Sequence, residues 1–489
     1  MRDMSTALVW LKRDLRCRDH APLATAQGCE SAAALFIIEP AWLASAEFDA
    51  SHLDFTLQCL AELRSALAAR GLPLLVRVGP ALQVLAALRH EFAYSHLFSH
   101  EETGSGWTYD RDREVGAWCR AQGVAWQEWP QSGVVRRLRS RQGWAGRWAQ
   151  RMNAPQAPNL VGFSGAALAL PDLPTLQSLG VAPHSKALQA AGELAAWQML
   201  ESFISERGRG YRRALSSPLT ADLGCSRLSP HLAYGTVSMR AVHQATELAI
   251  AHTADRNLAY GLRGFAGRLR WHCHFMQKLE DEPDIEFNNF ARVCNGLRET
   301  EFKRELFEAW CTGRTGFPMV DACMRSLCAT GWLNFRMRAM LVSFAAYHLW
   351  LHWREPGQFL ARQFLDFEAG IHWSQMQMQS GTTGINTLRI YSPAKQAREH
   401  DPNGEFVRRW VPEFGTPAYP LPVVDERVAL AAAKQRLYDL RATPQARAEA
   451  DAVQQKHGSR KSGLPPSPAK PGAKRRGADP VPSPQGELF

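Results

Sequence analysis

The pattern of hydrophobic and polar positions divides the chain into an alternating region and a helical region. Between residues 7 and 129, short apolar runs are separated by amphipathic stretches with helical spacing. The apolar runs lie at residues 7–11, 32–38, 72–78, 95–99 and 124–129, and the helical stretches lie around 52–70, 80–93 and 108–122. Strands that alternate with helices form parallel sheets, so this region predicts a doubly wound parallel sheet. From residue 188 to about 440 the spacing is helical throughout, and the predicted fold class is therefore α/β followed by all-α.

Composition divides the chain into four predicted segments. They are an α/β domain at 1–132, an interdomain connector at 133–187, a helical domain at 188–440 and a tail at 441–489. The sequence of the connector predicts one helix around Trp144 and Trp148. The prolines that follow exclude regular structure. The tail is basic and rich in proline, and it is predicted to be disordered because it has too few apolar residues to form a core.

The net charge of +10 is concentrated in two of these segments. Residues 134–151 contain six arginines and no acidic residue, and the tail contains nine basic and four acidic residues. Basic segments favour a polyanionic partner, and the tail could add nonspecific affinity for nucleic acid that weakens with salt. For the arginines of the connector, contact with DNA, a solvated surface and ion pairs across the domain junction are all open.

The cysteines and the apolar runs exclude several classes of protein. Ten cysteines without a CxxC pair argue against a disulfide framework, a zinc site and a four-cysteine iron–sulfur cluster, so no metal site is predicted. The longest apolar run, residues 339–353, is too short to cross a bilayer. The first residues lack the apolar region of a signal peptide, and we expect a cytoplasmic protein without a membrane partner.

Candidate chemistry is concentrated between residues 310 and 412. A helix that starts at Pro318 carries buried positions at helical spacing and is predicted to end at Gly331. The next helix, from about residue 332 to 353, places Arg338 on its apolar side. A guanidinium removed from water requires a carboxylate partner, and Asp366 or Glu368 is the nearest candidate. Such a pair could be purely structural.

These segments resemble the flavin-binding core of the photolyase/cryptochrome family. The motifs that carry the resemblance are Trp310-x-x-Gly313-x-Thr315-Gly316-Phe317-Pro318, Val320-Asp321-Ala322, Met324-Arg325, Thr330-Gly331-Trp332, Arg336-x-Arg338, Trp353-Arg354-Glu355, Arg389-Ile390-Tyr391-x-Pro393 and Phe406-x-Arg408-x-Trp410-x-Pro412-Glu413. At the end of the first apolar run, Trp10-x-Lys12-Arg13-Asp14-Leu15-Arg16 resembles the opening of the family's antenna domain.

The resemblance implies one noncovalently bound FAD. The residues implied to bind it are Tyr211, Cys225, Ser226, Arg227, Leu228, Ser229, Arg268, His272, Arg338, Asp366, Phe367, Glu368 and His372. By resemblance, the turn at residues 225–229 holds the diphosphate at a helix N-terminus. The pair Arg338–Asp366 lies beside the ring, where a fixed cation stabilises an anionic flavin. His372 falls near the position that faces the ring nitrogen N5, although a capping or core histidine is an equal alternative.

The resemblance also raises a second chromophore. The carboxyl ends of the strands, where Lys12, Arg13, Glu101 and Glu102 fall, are where a ligand of a doubly wound sheet binds. Three alternatives remain for this site: a bound folate, a bound deazaflavin, or no second chromophore. The region lacks the glycine fingerprint of a dinucleotide-binding Rossmann site.

The lesion pocket of the family is matched less well than its flavin pocket. Trp271 matches the tryptophan on which photolyases stack damaged bases, but Arg268 replaces a glutamate and Phe335 replaces an asparagine. Methionines, Met376 and Met378, stand in the region of a second stacking tryptophan. The residues predicted to contact DNA are Trp271, Phe335, Met378, Arg408 and Arg409.

The resemblance suggests two further roles for side chains near the flavin. His272, His274 or His372 could supply the proton that repair of a (6-4) photoproduct requires, and structural histidines are the alternative. Trp353 matches the middle tryptophan of the family's electron relay, whereas the proximal position is replaced. If light reduces the flavin, Trp373, Trp350 or another aromatic residue must carry the electron.

The sequence thus predicts a light-dependent DNA repair flavoprotein, similar to deoxyribodipyrimidine photolyases. It would transfer an electron from excited reduced FAD to a cyclobutane dimer or a (6-4) photoproduct in UV-damaged DNA. The predicted catalytic residues are Trp271, Arg338, Asp366, His372 and Trp353. The alternative is a cryptochrome-type blue-light photoreceptor that signals through a protein partner. We expect a monomer.

Overall fold

Five parallel strands form the sheet that the alternating pattern predicts. The computed structural model describes residues 3–458. The strands are β1 (Asp3–Leu11), β2 (Cys29–Ile38), β3 (Leu74–Val78), β4 (His96–His100) and β5 (Ala125–Trp129). Their order is β3-β2-β1-β4-β5, so the winding reverses beside β1. A ligand of such a sheet binds at the carboxyl ends of its strands, next to this reversal.

Helices cover both faces of this sheet. They are α1 (Ala21–Ala26), α2 (Pro40–Leu43), α3 (Ala50–Ala68), α4 (Ala81–Glu91) and α5 (Gly106–Gln122). On one face, Leu53 and Leu60 of α3 pack against β1 and β2. On the other face, Leu85 of α4 and Val115 of α5 pack against the opposite side chains of the same strands. The doubly wound α/β prediction is confirmed.

The connector contains the predicted helix, α6 (Trp144–Asn153), and is then irregular apart from a short 3-10 turn. Trp144 and Trp148 are buried in the core of the helical domain. Arg136 pairs with Glu128 at 2.9 Å and Arg141 pairs with Asp281 at 2.8 Å. Of the three possibilities for these arginines, the contacts favour ion pairs inside the protein for these two.

The C-terminal region is helical, as predicted. Its helices are α7 (Gly192–Ser205), α8 (Tyr211–Ala214), α9 (Ala221–Gly224), α10 (Ser229–Ala233), α11 (Met239–His252), α12 (Arg256–Asp281), α13 (Arg304–Cys311), α14 (Pro318–Thr330), α15 (Phe335–Ser343), α16 (Arg354–Gln363), α17 (Ala369–Ser380), α18 (Pro393–His400), α19 (Glu405–Trp410), α20 (Glu426–Ala442) and α21 (Pro444–His457). Within residues 3–458, we find no helix that combines the length and the apolar character needed to span a bilayer.

The predicted single helix over residues 332–353 is wrong in its extent. α14 ends at Gly331, whose φ of +72° is left-handed as expected for a C-terminal glycine, but α15 starts only at Phe335. After Ser343 the backbone widens into a π-helical turn, Phe344–His348. Trp350 then has a φ of +54°, a conformation that a helix cannot continue through.

The predicted disordered tail is wrong over its first part, because α21 occupies residues 444–457. Val453 is buried, and Nε2 of His457 lies 2.6 Å from Oε2 of Glu282. Oε2 of Glu449 accepts the backbone N–H of Val293 at 2.8 Å. These tertiary contacts stabilise a helix whose own sequence has little apolar surface. The prediction for residues 459–489 lies outside the described residues.

The end of β1 is fixed against the helical domain. Arg16 is 2% exposed, and its guanidinium donates to the carbonyl of Gly235 at 3.0 Å. Gly235 has a φ of +67°, and a Cβ there would meet the carbonyl oxygen of Arg13 at 2.0 Å. Only glycine allows this approach, so the segment after β1 lies directly on the helical domain.

Candidate functional site

A large cavity opens in the helical domain between α12, the turn before α10 and the segment from Trp332 to Gln375. It contains about 1140 Å³ of space free of protein atoms. Eleven of the residues implied to bind FAD line this large cavity, namely Tyr211, Cys225, Ser226, Arg227, Leu228, Ser229, Arg268, His272, Arg338, Asp366 and Glu368. Segments that are up to 157 positions apart in the sequence therefore meet around one space.

The two remaining residues of that set line an adjoining small cavity of about 560 Å³. Phe367 and His372 contribute to its wall, together with Met376. The two cavities share Arg338 and Asp366, so this pair stands where they meet.

Arg338 forms a two-bond ion pair with Asp366. Nη1 lies 2.9 Å from Oδ1 and Nη2 lies 2.8 Å from Oδ2. Nε of Arg338 donates to the carbonyl of Leu333 at 2.6 Å, and the guanidinium lies 4.1 Å from the centre of the Phe364 ring. Burial acts to raise the pKa of Asp366, but the charge and hydrogen bonds of Arg338 outweigh it, and the pKa lies below its usual value. The prediction that a carboxylate reaches Arg338 is confirmed, and the partner is Asp366.

The turn at residues 225–229 has an unusual backbone. Arg227 has a φ of +60°, which is rare for a residue with a side chain. Its guanidinium lies 3.9 Å from the centre of the Trp332 ring and its Nη1 lies 3.0 Å from Oδ1 of Asp222. Nε1 of Trp332 donates to Oγ of Ser229 at 3.3 Å. Trp332 therefore supports both the arginine and the hydroxyl that the turn presents at the cavity.

Glu368 pairs with His272 and not with Arg338. Its Oε2 lies 2.7 Å from Nε2 of His272. Burial acts to lower the pKa of His272, but the charge and hydrogen bond of Glu368 raise it to about 10. His272 is therefore an imidazolium at neutral pH, and it adds a positive charge to the wall of the large cavity.

His372 is a buried neutral histidine. Its Nε2 lies 2.8 Å from the carbonyl oxygen of Gly357, so this nitrogen carries the proton and donates. Burial lowers the pKa of His372 to about 4. Its ring contacts those of Phe367 and Trp373 at centroid distances of 5.2 and 4.8 Å. The side chain lines the small cavity and is held there by the backbone of α16.

Among the residues predicted to contact DNA, only Trp271 and Phe335 line the large cavity. Trp271 is 9% exposed and its ring meets those of His274 and Phe275. Met378 is buried in the helical core instead, because its position on α17 faces that core rather than the cavity. Arg408 and Arg409 lie on α19, outside the cavity wall.

Trp353 is buried away from both cavities and contacts Trp373. The two indole rings meet edge to face with centroids 5.8 Å apart, and Nε1 of Trp353 donates to Asn289 at 2.7 Å. Trp350, the other candidate relay residue, lies between the guanidinium groups of Arg298 and Arg436, at 4.4 and 4.9 Å. Two adjacent cations oppose removal of an electron from its ring, so the geometry favours Trp373 over Trp350.

Several lining residues were not singled out from the sequence. They include Phe265, Trp332, Asn334, Ile371 and Gln375. Trp332 lies within one of the matched motifs, which could have indicated its importance. The others belong to the same stretches as predicted residues, but nothing in their spacing distinguishes them from core or surface positions.

The wall of the large cavity carries polar atoms that a bound ligand could satisfy. Within residues 3–458, Nδ1 of His272 and Oδ1 of Asn334 are buried without a hydrogen-bond partner, and both side chains line the cavity. Unpaired buried polar atoms are costly unless a ligand satisfies them. Arg227, Arg268 and Arg338 add cations that suit a diphosphate and an electron-rich ring. The residues present fit FAD.

A separate sheet-end cavity lies at the carboxyl ends of the strands and contains about 890 Å³. Lys12, Arg13 and Glu102 line it, as the sequence predicts, but Glu101 does not. Its aromatic lining residues include Trp10 and Trp107, and the guanidinium of Arg111 lies over both rings. The cations of this wall are paired with carboxylates at distances of 2.6–3.8 Å.

The N-terminal domain also contains a buried group of three potential metal ligands, Asp14, His20 and His100. Nδ1 of His100 lies 2.7 Å from Oδ2 of Asp14, and Nε2 of His20 lies 3.0 Å from the same oxygen. Nδ1 of His20 accepts the backbone N–H of Leu23, so the proton of this neutral ring is on Nε2. This N–H points at Asp14. A metal bound there would need an unprotonated Nε2 with a free lone pair. The arrangement is a hydrogen-bond network.

Two family models match the chain. One, described as the FAD binding domain of DNA photolyase, matches residues 265–443, and the other, described as DNA photolyase, matches residues 7–143. Together they include the large cavity's α12 face, the Arg338–Asp366 pair and the sheet with its sheet-end cavity.

Individual relatives span nearly the whole chain. A deoxyribodipyrimidine photo-lyase of Synechococcus sp. is 27% identical over 459 residues, which cover 86% of this chain and 94% of the relative. A protein named cryptochrome DASH of Gloeobacter violaceus is 28% identical over 437 residues and covers 84% and 86%. The fold is similar to that of a bacterial class III photolyase from Agrobacterium tumefaciens, with a TM-score of 0.78, 24% identity and coverage of 90% of this chain and 98% of that chain.

Proposed function

Because this chain belongs to the photolyase/cryptochrome family, we propose that it is a light-dependent DNA repair flavoprotein with FAD in the large cavity. The observation that carries the proposal is the position of two groups on one cavity wall. The Arg338–Asp366 pair and the base-stacking candidate Trp271 both line this space. A cofactor held by the pair would therefore be within the same cavity as a base stacked on the tryptophan.

Reduced FAD that has absorbed light supplies one electron to a pyrimidine lesion and takes it back after bond scission. The protein's part is to hold the ring and its charge. Arg338 places a permanent cation beside the ring, and Asp366 fixes the direction of that guanidinium through two hydrogen bonds. The Asp366 side chain is only 3% exposed, and this low exposure strengthens the electrostatic interaction of the pair.

We propose that Trp271 receives the lesion after it has been flipped out of the duplex. Its ring is held edge to face by His274 at 5.0 Å, so the indole is oriented before DNA binds. Arg268 stands on the same helix, one turn before Trp271, and also lines the cavity. In place of an acidic group, this arginine offers hydrogen-bond donors to carbonyl or phosphate oxygens of the damaged strand.

The test is a repair assay on defined lesions. Purified protein, loaded with FAD and reduced, is illuminated with oligonucleotides that contain one cyclobutane dimer or one (6-4) photoproduct. Trp271→Ala should lose most of the repair while FAD content stays unchanged, because stacking on an aromatic residue contributes about 1–3 kcal/mol per base. Trp118→Ala, on a partly buried tryptophan of α5, is the matched control. Wild-type protein that restores neither lesion would contradict the proposal.

A photoreceptor is the second candidate function. It is favoured by the replacement of lesion-pocket residues, with Phe335 on the cavity wall and Met378 turned into the core. The relative named cryptochrome DASH is compatible with this candidate. FAD-loaded protein that repairs no lesion, yet changes its affinity for a protein partner on illumination, would support it.

We further propose that the sheet-end cavity binds a second chromophore. Its aromatic walls suit a flat ring, and its cations are already paired with carboxylates. These pairs favour an uncharged ring over a phosphorylated one, because a phosphate would compete with existing carboxylate partners. Riboflavin and FMN share one ring and differ in the phosphate, so the FAD-loaded protein should bind riboflavin more tightly. Tighter binding of FMN would contradict this preference.

A further inference from the structure

An interdomain cavity of about 650 Å³ lies behind the large cavity, between the α/β domain and α12. Its wall combines apolar residues with polar ones, and the polar ones include Glu101, Glu102, Thr103, Ser132 and Ser238. Three residues, Leu232, His272 and Glu368, line both this interdomain cavity and the large cavity. The partition between the two spaces therefore contains a pair of ionisable groups.

The geometry of this pair fixes which proton is available. Nε2 of His272 donates to Oε2 of Glu368 at 2.7 Å, across from the N-terminal end of α17. Nδ1 of His272 is buried and has no hydrogen-bond partner among residues 3–458. The side chains are 16% and 11% exposed, so solvent contact is small but not absent. Glu368 thus holds the proton on Nε2, and the proton on Nδ1 is the one left for a ligand.

The other ionisable groups that line the large and small cavities cannot supply a proton near neutral pH. Burial raises the pKa of Tyr211 far above neutrality and that of Cys225 to about 12. The pKa of Asp366 lies below its usual value beside Arg338, so this group is already ionised. His372 is neutral, and its one proton is donated to the carbonyl of Gly357.

We propose that His272 delivers the proton that a bound flavin takes up when it gains an electron, and that the interdomain cavity replaces this proton. This inference rests on the proposed function, because it assumes FAD in the large cavity. The electron comes from an external thiol or dithionite reductant, which is oxidised by one electron per proton transferred. The N–H bond at Nδ1 of His272 breaks and one bond to hydrogen forms on the reduced ring.

After this transfer, His272 is neutral and keeps the proton on Nε2, still donated to Glu368. A proton from bulk solvent then reaches Nδ1 through the interdomain cavity, and the charge of the pair is restored. Glu368 is a positioning residue in this scheme, because it orients the imidazole and stabilises its charged form. In total, the bound ring gains one electron and one proton from solvent, and the His272–Glu368 pair returns to its starting charges.

Charged groups from each neighbouring element set the pH range of this donor. Glu368 at the start of α17 faces His272 directly, and Cys273 adjoins it on α12. Arg13 after β1, and Glu101 and Glu102 after β4, line the interdomain cavity with it. Arg338 of α15 and Asp366 line the large cavity beside it. Because Glu368 dominates, we expect His272 to stay charged throughout the neutral range.

The test follows ring protonation in FAD-loaded protein after one-electron reduction in a stopped-flow instrument, between about pH 6 and about pH 9. The observable is the growth of the red-shifted visible absorbance of the protonated one-electron-reduced ring. In wild-type protein its rate should be independent of pH over this range. In His272→Ala it should fall by about a hundredfold, the usual contribution of a positioned proton donor, and added imidazole should restore part of it.

Glu368→Gln provides a second variant that keeps the histidine. Without its carboxylate partner, burial should hold the pKa of His272 below its ordinary value, so the rate should be slower than in the wild type and should decrease further as pH rises from about 6. His252→Ala on the exposed end of α11 and Glu399→Gln on α18 are the matched controls, and both should behave as the wild type.

Three outcomes would overturn the inference: an unchanged rate in His272→Ala, a pH-independent rate in Glu368→Gln, or no protonated one-electron-reduced ring in the wild type. If His272→Ala fails to hold FAD, the pH profile of Glu368→Gln decides alone. Wild-type protein that binds no FAD would contradict the proposed function instead, so the two failures are distinguishable.

Discussion

At the scale of single residues, the charge of Arg338 has a structural and an electronic role. The guanidinium is 23% exposed, whereas the Asp366 side chain is only 3% exposed. Removal of the arginine would leave a buried carboxylate without its partner. Most of the loss of stability would then come from the buried, unpaired charge of Asp366.

We therefore predict two separable effects of Arg338→Ala. The free energy of unfolding should fall by about 3 kcal/mol, because breaking a buried ion pair leaves one charge uncompensated. The double variant Arg338→Ala/Asp366→Ala should recover part of this loss but should not recover flavin photoreduction. Chemical denaturation and the rate of photoreduction measure the two effects, and Arg398→Ala on the surface of α18 is the control. Full photoreduction in the double variant would show that the pair is only structural.

Glu286 provides a pH-dependent prediction. It is 4% exposed, and burial raises its pKa to about 7, while its Oε2 accepts the backbone N–H of Gly106 at 2.8 Å. Because the folded-state pKa lies above the unfolded one, the stability that the neutral carboxyl contributes is present at low pH and is lost as pH rises towards about 7. Glu286→Gln keeps an acceptor for Gly106 without the charge.

At about pH 8 this variant should be more stable than the wild type by roughly 3 to 4 kcal/mol, and the difference should vanish below the unfolded pKa of about 4.3. Thermal unfolding at several pH values measures it, with Glu399→Gln as the exposed control. A variant that is less stable than the wild type at pH 8 would contradict this account of Glu286.

At the scale of elements, α21 depends on contacts rather than on its own sequence. Its described contacts include buried Val453 and the pair between His457 and Glu282. A protein that ends at residue 442 should lose about 3 kcal/mol of unfolding free energy, which corresponds to one buried valine and one ion pair. A protein that ends at residue 458 is the control and should match the full chain. Equal stability of both truncated proteins would show that α21 does not dock in solution.

The difference between local sequence signals and tertiary contacts explains which elements the sequence could predict. The five strands and Gly331 were predictable, because apolar runs and a left-handed glycine are local signals. The partner of Arg338 was predictable because a guanidinium on the apolar side of a helix requires a nearby carboxylate. The break after Ser343 and the docking of α21 were not, since both depend on contacts with segments that lie far apart in the sequence.

The candidate site was predictable to a similar degree. The residues implied by the resemblance converge on the large cavity, apart from Phe367 and His372 beside it. The pair His272–Glu368 joins positions 96 residues apart, so no spacing rule could find it. The stacking of Arg227 on Trp332 depends on a left-handed backbone at Arg227 that its residue type does not favour.

At the scale of the whole molecule, three cavities lie in sequence across the domain junction. Arg13 and Glu102 line both the sheet-end cavity and the interdomain cavity, and His272 and Glu368 connect the latter to the large cavity. Arg13 also donates to the carbonyls of Ala233 and Phe367, at 3.3 and 3.2 Å. The junction thus fixes the sheet's ligand end at a constant position relative to the flavin site.

The most direct test of the central claim is the flavin content of the purified protein after incubation with FAD and removal of the excess. The large cavity should retain one FAD per chain, visible as flavin absorbance and released when the protein is denatured, because the binding is noncovalent. Arg338→Ala should retain less, since a cation beside the ring is lost. Wild-type protein that stays colourless after this treatment would contradict the account.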